Sequence, residues 1–367
     1  MSFRRKRLCR FLSLMINMMF YIHIPFCLKK CLYCDFFSQT DTTLSELYAD
    51  EVINEAKQYK GLKADSIYIG GGTPSSVPKV LVKIMAALGD ILEIHDCEYT
   101  VEINPGTTDY ELFKTLKQMG ANRLSIGAQS FSDNELKALG RIHSSDMIYE
   151  AVDKAKKAGF KNISADIMLA VPGQTKESLM HTLDCIEGLE LKHISAYSLI
   201  IEENTPFAEM ELDLPDEDTE REMYYLVCKR LENMGMKQYE ISNFAYPGFE
   251  SRHNTGYWTG TEYIGIGAGA HSYYKDMRYS NEPDIKKYIS GGGRAYEPTL
   301  ISPEEKELER FMLGLRMTKG ILYNGEFPER VEPLIKNGLL EISGSRLRLT
   351  KRGIDLANLV FMEFLYE

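Results

Sequence analysis

The chain has 367 residues, 44% hydrophobic and 26% charged, which suits a large core domain followed by a smaller one. Its formal net charge of -10 excludes a general nucleic-acid binder, which needs a surplus of Lys and Arg, and no apolar run is long enough for a transmembrane helix. Of seven cysteines, three crowd into residues 27–34 and four stand alone, which excludes a disulfide scaffold and fits a reducing cytoplasm.

Residues 1–17 begin with the basic run Arg4-Arg5-Lys6-Arg7 and turn apolar from Phe11, imitating a signal peptide. No small-residue cleavage site follows, so the segment reads as a ragged extension, with Met15, Met18 or Met19 as alternative initiators. The apolar stretch runs directly into a first strand at 20–24. From there one unit repeats: an amphipathic helix, a glycine that ends it, a few polar residues and a β-branched strand. In the clearest copy Met147, Ile148, Ala151, Val152 and Ala155 share one helical face, Gly159 caps the helix, and a strand follows at 163–169. Gly61, Gly89, Gly120, Gly188 and Gly235 take the cap position in the other units. Further strands are expected at 66–69, 99–103, 123–126 and 193–199, with a weaker one at 238–241. Strands and helices that alternate at this length predict parallel strands and right-handed crossovers. The expected architecture is α/β, a partial (βα)6 TIM-like barrel over residues 18–245.

After residue 245 the rhythm breaks. The run Gly265-Ile-Gly-Ala-Gly269 lacks the spacing and the strand–helix context of a dinucleotide loop, and reads as close backbone packing in an extension of the barrel over 246–300. A linker is expected at Gly291-Gly292-Gly293. Residues 301–367, with helices at 304–317 and 327–337 and a hairpin at 339–349 around Gly344, predict a small α+β winged-helix-like domain. It has no basic surplus, so it reads as packing and not as a DNA reader.

The chemistry concentrates where the strands end, the face on which barrel sites are built. The first strand leads into Cys27-x-x-x-Cys31-x-x-Cys34, the second into Gly70-Gly71-Gly72-Thr73-Pro74, and the third into Glu102-Ile-Asn104-Pro105. Gln129, Asp166 and Tyr197-Ser198 follow in the next three units. Three thiols in a short loop suit a soft metal centre: an iron–sulfur cluster, or zinc as the competing reading. A structural zinc site wants four closed ligands, and no second Cys or His pair stands at a suitable spacing. A [4Fe–4S] cube held by three cysteines keeps one iron free for an external ligand.

The Cys-x3-Cys-x2-Cys motif, with Tyr33 before its last cysteine, resembles the radical S-adenosylmethionine superfamily, in which the free iron binds that cofactor's amino and carboxylate groups. More specifically, several segments resemble the oxygen-independent coproporphyrinogen III oxidase family. They are Tyr21-Ile-His-Ile-Pro-Phe-Cys27, Gly70-Gly-Gly-Thr-Pro74, Glu102-Ile-Asn-Pro-Gly106, Arg123-Leu-Ser-Ile-Gly-Ala-Gln-Ser-Phe131, Leu139-Gly-Arg-Ile-His143 and Tyr239-Glu-Ile-Ser-Asn-Phe244. The resemblance spans nearly all of the chain from about residue 18. In the oxidase branch a further cysteine stands two residues after the third ligand, where this chain has Phe36. His253-Asn254-Thr-Gly-Tyr257-Trp258 is similar to a signature of the other branch, the haem chaperones called HemW.

That branch implies haem, the cluster and S-adenosylmethionine as ligands, and haem-requiring acceptor proteins, respiratory and membrane-associated ones among them, as partners. The alternative is oxidative decarboxylation of coproporphyrinogen III in porphyrin biosynthesis. By the same resemblance Cys27, Cys31 and Cys34 are the metal ligands. Tyr21, Tyr33, Gly71, Gly72, Thr73, Glu102, Gln129, Arg141 and Asp166 are the S-adenosylmethionine contacts. Read as residues, the glycines admit close backbone approach, Glu102 and Arg141 complement an ammonium and a carboxylate, and Asp166 can accept from ribose hydroxyls. For Glu102, Arg141 and Asp166 the competing reading is ion pairing at the barrel mouth. His253 is the expected haem-iron ligand beside aromatic walls, against the commoner reading of a structural histidine. His271 is a secondary haem candidate, and His23 reads as core or as support for the cluster loop.

Overall fold

The computed structural model describes residues 18–291, 293 and 297–365. The N-terminal extension, and Gly292 at the centre of the expected linker, lie outside these residues.

Six strands carry the repeating unit: β1 (Met18–Ile24), β2 (Ala64–Gly71), β3 (Glu98–Ile103), β4 (Arg123–Gln129), β5 (Asn162–Leu169) and β6 (His193–Ser198). They lie side by side in chain order and pair in parallel throughout. The crossovers are α1 (Ser45–Ala56), α2 (Pro78–Ile91), α3 (Tyr110–Gln118), α4 (Asp133–Ala138), α5 (Ser145–Lys157) and α6 (Lys176–Gly188). The longer helices each turn one apolar stripe to the sheet, as Ile148, Ala151, Val152 and Ala155 do on α5. Met147, expected on that face, is exposed, one helical step outside the stripe. The strands are buried on both sides, so one continuous core runs from Phe20 and Ile22 to Ile194 and Phe244.

Gly61, Gly120, Gly159 and Gly235 stand in the left-handed region where helices or turns end, as expected. Gly89 does not: it lies inside α2, and a Cβ there would meet nothing within 4 Å. Gly188 closes α6 in helical conformation, and Glu190 takes the left-handed position instead. Gly89→Ala should therefore stabilise the fold by about 0.4–1 kcal/mol, since it restricts only the unfolded chain. Chemical denaturation would show this as a higher midpoint at unchanged slope, and a lower midpoint would contradict it.

After α7 (Glu217–Asn233) the topology changes. Strands β7 (Lys237–Glu240) and β8 (Asn243–Ala245) form a tight hairpin that adds antiparallel to β6. The weak strand at 238–241 is present as β7 and runs in the direction of β6, but it does not pair with it, because β8 is inserted between the two. The short helix α8 (Arg252–Trp258) follows, and β9 (Tyr263–Ile266) then returns to the opposite side of the sheet and pairs parallel with β1. Strands β10 (His271–Tyr274), β11 (Met277–Ser280) and β12 (Thr299–Leu300) extend that edge antiparallel, with α9 (Ile285–Ile289) between the last two. The result is a twelve-stranded, mostly parallel α/β sheet with β1 near its middle.

The C-terminal unit consists of α10 (Pro303–Gly314), β13 (Ile321–Leu322), α11 (Pro328–Lys336), the hairpin β14 (Leu340–Ser343) and β15 (Arg346–Leu349), and the short helices α12 (Lys351–Asp355) and α13 (Ala357–Met362). Its own core gathers around Phe311, Val331, Leu347 and Phe364. Gly344 makes the hairpin turn at φ 61°.

Candidate functional site

The loop after β1 is held by backbone bonds on both flanks. Cys27 N–H donates to Gln39 O (2.9 Å) and Gln39 N–H to Pro25 O (2.8 Å), while Leu32 joins Leu139 and Phe207. The end of β2 locks beneath it. Gly72 N–H donates to Ile24 O and Thr73 N–H to Phe26 O (3.0 and 2.8 Å), and a Cβ on Gly72 would lie 2.8 Å from Phe26 O and 3.0 Å from Cys27 Sγ. Glycine is required there because backbone and sulfur already occupy the space of a side chain.

The three cysteines line one cavity of about 400 Å³ at the strand ends, together with Tyr33, Gly71, Gly72, Thr73, Glu102, Gln129, Arg141 and Asp166. Cys27 Sγ stands 3.6 Å from Thr73 Oγ1, and Arg141 Nη1 reaches Cys31 Sγ at 3.5 Å while Nη2 donates to Gly127 O at 2.8 Å. Among the described residues no three His, Cys, Asp or Glu side chains converge around a single ion.

Glu102 Oε1 accepts from the Tyr68 hydroxyl at 2.8 Å and Oε2 from Gly71 N–H at 3.2 Å. Burial pushes its carboxyl up to about 7, against these hydrogen bonds. Asp166 accepts from Ser125 Oγ at 3.3 Å and is also raised, mainly by burial. Two desolvated carboxylates facing one cavity favour a cationic occupant. Gln129 ends β4 with φ 66° beside a register shift between β4 and β5, and its Oε1 accepts from Tyr197 OH at 3.2 Å. A non-glycine residue in the left-handed region is costly, and here the strain turns the amide into the cavity.

Two expected contacts lie elsewhere. Tyr21 lines a neighbouring cavity of about 500 Å³, where its hydroxyl donates to His23 Nδ1 at 2.9 Å; Phe36, Gly71 and Glu102 are the wall shared with the first cavity. His23 Nε2 donates to Phe37 O at 2.9 Å, so His23 supports the loop with both nitrogens. His253 corrects the expectation of an available imidazole. It is buried, Nδ1 bonds Ser66 Oγ (2.8 Å), Nε2 bonds the Tyr257 hydroxyl (3.1 Å), and the ring stacks on Tyr68 at 5.1 Å. Burial and the charge of Arg123 lower it to about 3, so it is a neutral strut between α8 and β2. His253→Ala should lower stability by about 2–4 kcal/mol, read from thermal or denaturant unfolding, because it leaves a cavity and two unpaired hydroxyls. A variant as stable as the parent would remove the strut role. Trp258, expected as an apolar wall, instead stacks beneath Arg316 at 4.4 Å.

Tyr68, Ser125 and Ser195 also line the first cavity and were not singled out in the sequence. Strand alternation could have found one of them, since Arg123, Ser125 and Gly127 fall on one side of β4.

The Radical SAM superfamily profile matches residues 21–186 and the HemN C-terminal domain profile residues 301–356. Proteins named heme chaperone HemW are similar over almost their whole length. The one from Bacillus subtilis is 39% identical over 95% of this chain and 99% of the relative, that from Lactococcus lactis 37% over 95% and 97%, and that from Escherichia coli 37% over 95% and 98%. The solved structure of coproporphyrinogen III oxidase (HemN) from Escherichia coli, a radical SAM enzyme, superposes with a TM-score of 0.82 at 21% identity, covering 95% of this chain and 90% of that one. At that identity the likeness speaks for the fold.

Proposed function

Since this chain belongs to the HemW family of haem chaperones within the radical SAM superfamily, we propose that it binds haem and passes it to haem-requiring proteins, with a [4Fe–4S] cluster and S-adenosylmethionine bound at the barrel mouth. The observation that carries the reading is end-to-end similarity to relatives of that name, with 95% of this chain and 99% of the Bacillus subtilis protein aligned. Phe36 supports it. It stands where the oxidase branch has a cysteine and projects 71% exposed from the lip between the two cavities. Among the described residues no helix is long and apolar enough to cross a membrane. Membrane-associated acceptors would therefore be met at the surface by a protein of the cytoplasm. Anaerobic haem titration of the cluster-loaded protein, alongside an assay of coproporphyrinogen conversion, tests the reading. Haem binding without decarboxylation is expected, and efficient formation of protoporphyrinogen IX would restore the oxidase.

Within the first cavity Cys27, Cys31 and Cys34 would hold the cluster, and Arg141 lies beside them as a counter-charge. When bound, the cluster and the sulfonium cofactor supply one-electron chemistry. The residues of the chain bind and orient: Gly71 and Gly72 admit the methionine moiety, Tyr33 and Gln129 wall it in, and Thr73 secures Cys27. Glu102 and Asp166 receive the ammonium and the ribose hydroxyls. Glu102→Ala or Asp166→Ala should leave the cluster intact and weaken S-adenosylmethionine by about 1.5–3 kcal/mol, one to two decades in Kd. Equal affinity in both variants would favour simple ion pairing at the barrel mouth.

The raised carboxyl of Glu102 adds a pH dependence. Without ligand the folded chain holds a proton that the unfolded chain releases near 4.5, so stability from the neutral form is lost as pH rises from there to about 7. A cationic ligand prefers the ionised carboxylate, so affinity for S-adenosylmethionine should strengthen as pH rises through about 7. Equilibrium binding on either side of that pH checks the sign, and tighter binding on the acid side contradicts it.

A further inference from the structure

His23 and His271 line the second cavity and His253 lies behind Tyr257 in its wall, and the structure separates the three by what their nitrogens already do. His23 uses both, to Tyr21 and Phe37, and His253 uses both, to Ser66 and Tyr257. His271 lines the cavity, is exposed, and its imidazole makes no hydrogen bond to the described residues. The glycine run that the sequence left without a function is what puts it there. Gly265 passes so close to His271 that a Cβ would collide with its carbonyl oxygen. Gly267 turns at φ 108° and Gly269 at φ 71°, where Phe37 packs 3.2 Å from its Cβ position.

Tyr21, Phe36, Phe37, Tyr257 and Tyr263 give the cavity aromatic walls, and Asp35 and Glu102 are the carboxylates among them. Phe37 stacks on His23 with centroids 5.9 Å apart, and Tyr257 stands edge-on to Tyr263 at 4.8 Å. Flat aromatic walls with one available imidazole suit a planar macrocycle that carries a metal, because the rings stack on its faces while the nitrogen binds the iron. Resting on the haem reading above, we propose that the cargo haem seats in this second cavity, between the loop after β1 and the β9–β10 turn, with His271 as its iron ligand. The shared wall of Phe36, Gly71 and Glu102 then sets the haem directly beside the cluster cavity.

The test is a titration of ferric haem into the full-length, cluster-loaded protein without oxygen, followed by difference absorption and electron paramagnetic resonance. His271→Ala should lose the imidazole-ligated spectrum and weaken haem by at least about tenfold in Kd. Free imidazole should restore the spectrum, and His271→Met should change it to that of a thioether ligand. His253→Ala should keep the parent spectrum despite a lower melting temperature. A parent-like spectrum in folded His271→Ala, or loss of the imidazole signature in folded His253→Ala alone, overturns the assignment of His271 while leaving haem binding in place. A parent protein that takes up no haem brings down the chaperone reading itself.

Discussion

Replacing any one of Cys27, Cys31 or Cys34 by alanine should strip anaerobically prepared protein of nearly all of its cluster iron, from about four irons per chain toward none. On the proposed reading the loop would offer three thiolates to three irons and leave the fourth for an exogenous ligand, so the loss of one thiolate would leave two corners to solvent. No substitute is at hand among the described residues. Cys97 is buried next to β3 at the opposite end of the sheet from the strand ends, and Cys185 and Cys228 sit on α6 and α7 outside the barrel. The backbone should survive, because the loop is fixed by Gln39, Leu139 and Thr73 independently of the sulfurs. Iron and sulfide analysis with circular dichroism reads both halves of the expectation. Full iron content in a single variant, or stoichiometric zinc without iron in the parent, would reverse it.

The second large effect belongs to a residue without a side chain. Gly265→Ala should destabilise the fold by about 3 kcal/mol or more, because the added methyl meets the carbonyl of His271 and Ala270 Cβ, not the end of a flexible side chain that could swing away. The strain falls on β9, which holds β1 on one side and β10 on the other, and Gly265 N–H also donates to Ser272 Oγ at 3.0 Å. A large drop in denaturation midpoint is expected, with weakened haem binding where the fold survives, since the same contact sets the position of His271. A midpoint like that of the parent would mean that the β9–β10 turn can shift freely. It would also remove the reason for glycine there.

Much of this arrangement was legible from residue order. The six parallel strands follow from helix stripes alternating with β-branched runs, and the cavity from polar residues at successive strand ends. What escaped has physical causes. Strand β9 is four residues with a glycine inside, too short for a period, and its partner is remote in sequence. Strand β8, three residues long, folds back between β6 and β7, and so short a run carries no local pattern that announces it. Gly188 failed as a cap because a non-glycine residue, Glu190, bears the left-handed turn. The surroundings of His253 were not legible for a plainer reason: a motif gives residue spacing, while the seven-residue helix α8 points that imidazole inward against Ser66. Ligand quality depends on free lone pairs, and the packing of the fold decides which are taken.

The central place of β1 has a consequence for biogenesis. Its partner β2 emerges from the ribosome within a few dozen residues, but Tyr263, which pairs with Met19 on the other flank, is synthesised about 240 residues later. At roughly 5–20 residues per second, one edge of the strand that carries the cysteine loop stays open for about 12–50 s. Nascent chains in that interval expose an apolar strand edge together with three unprotected thiols, a combination prone to mispairing and oxidation. Iron–sulfur assembly on this protein is therefore expected to follow chain release, and shortfalls in iron supply to accumulate full-length, empty protein, not truncated intermediates.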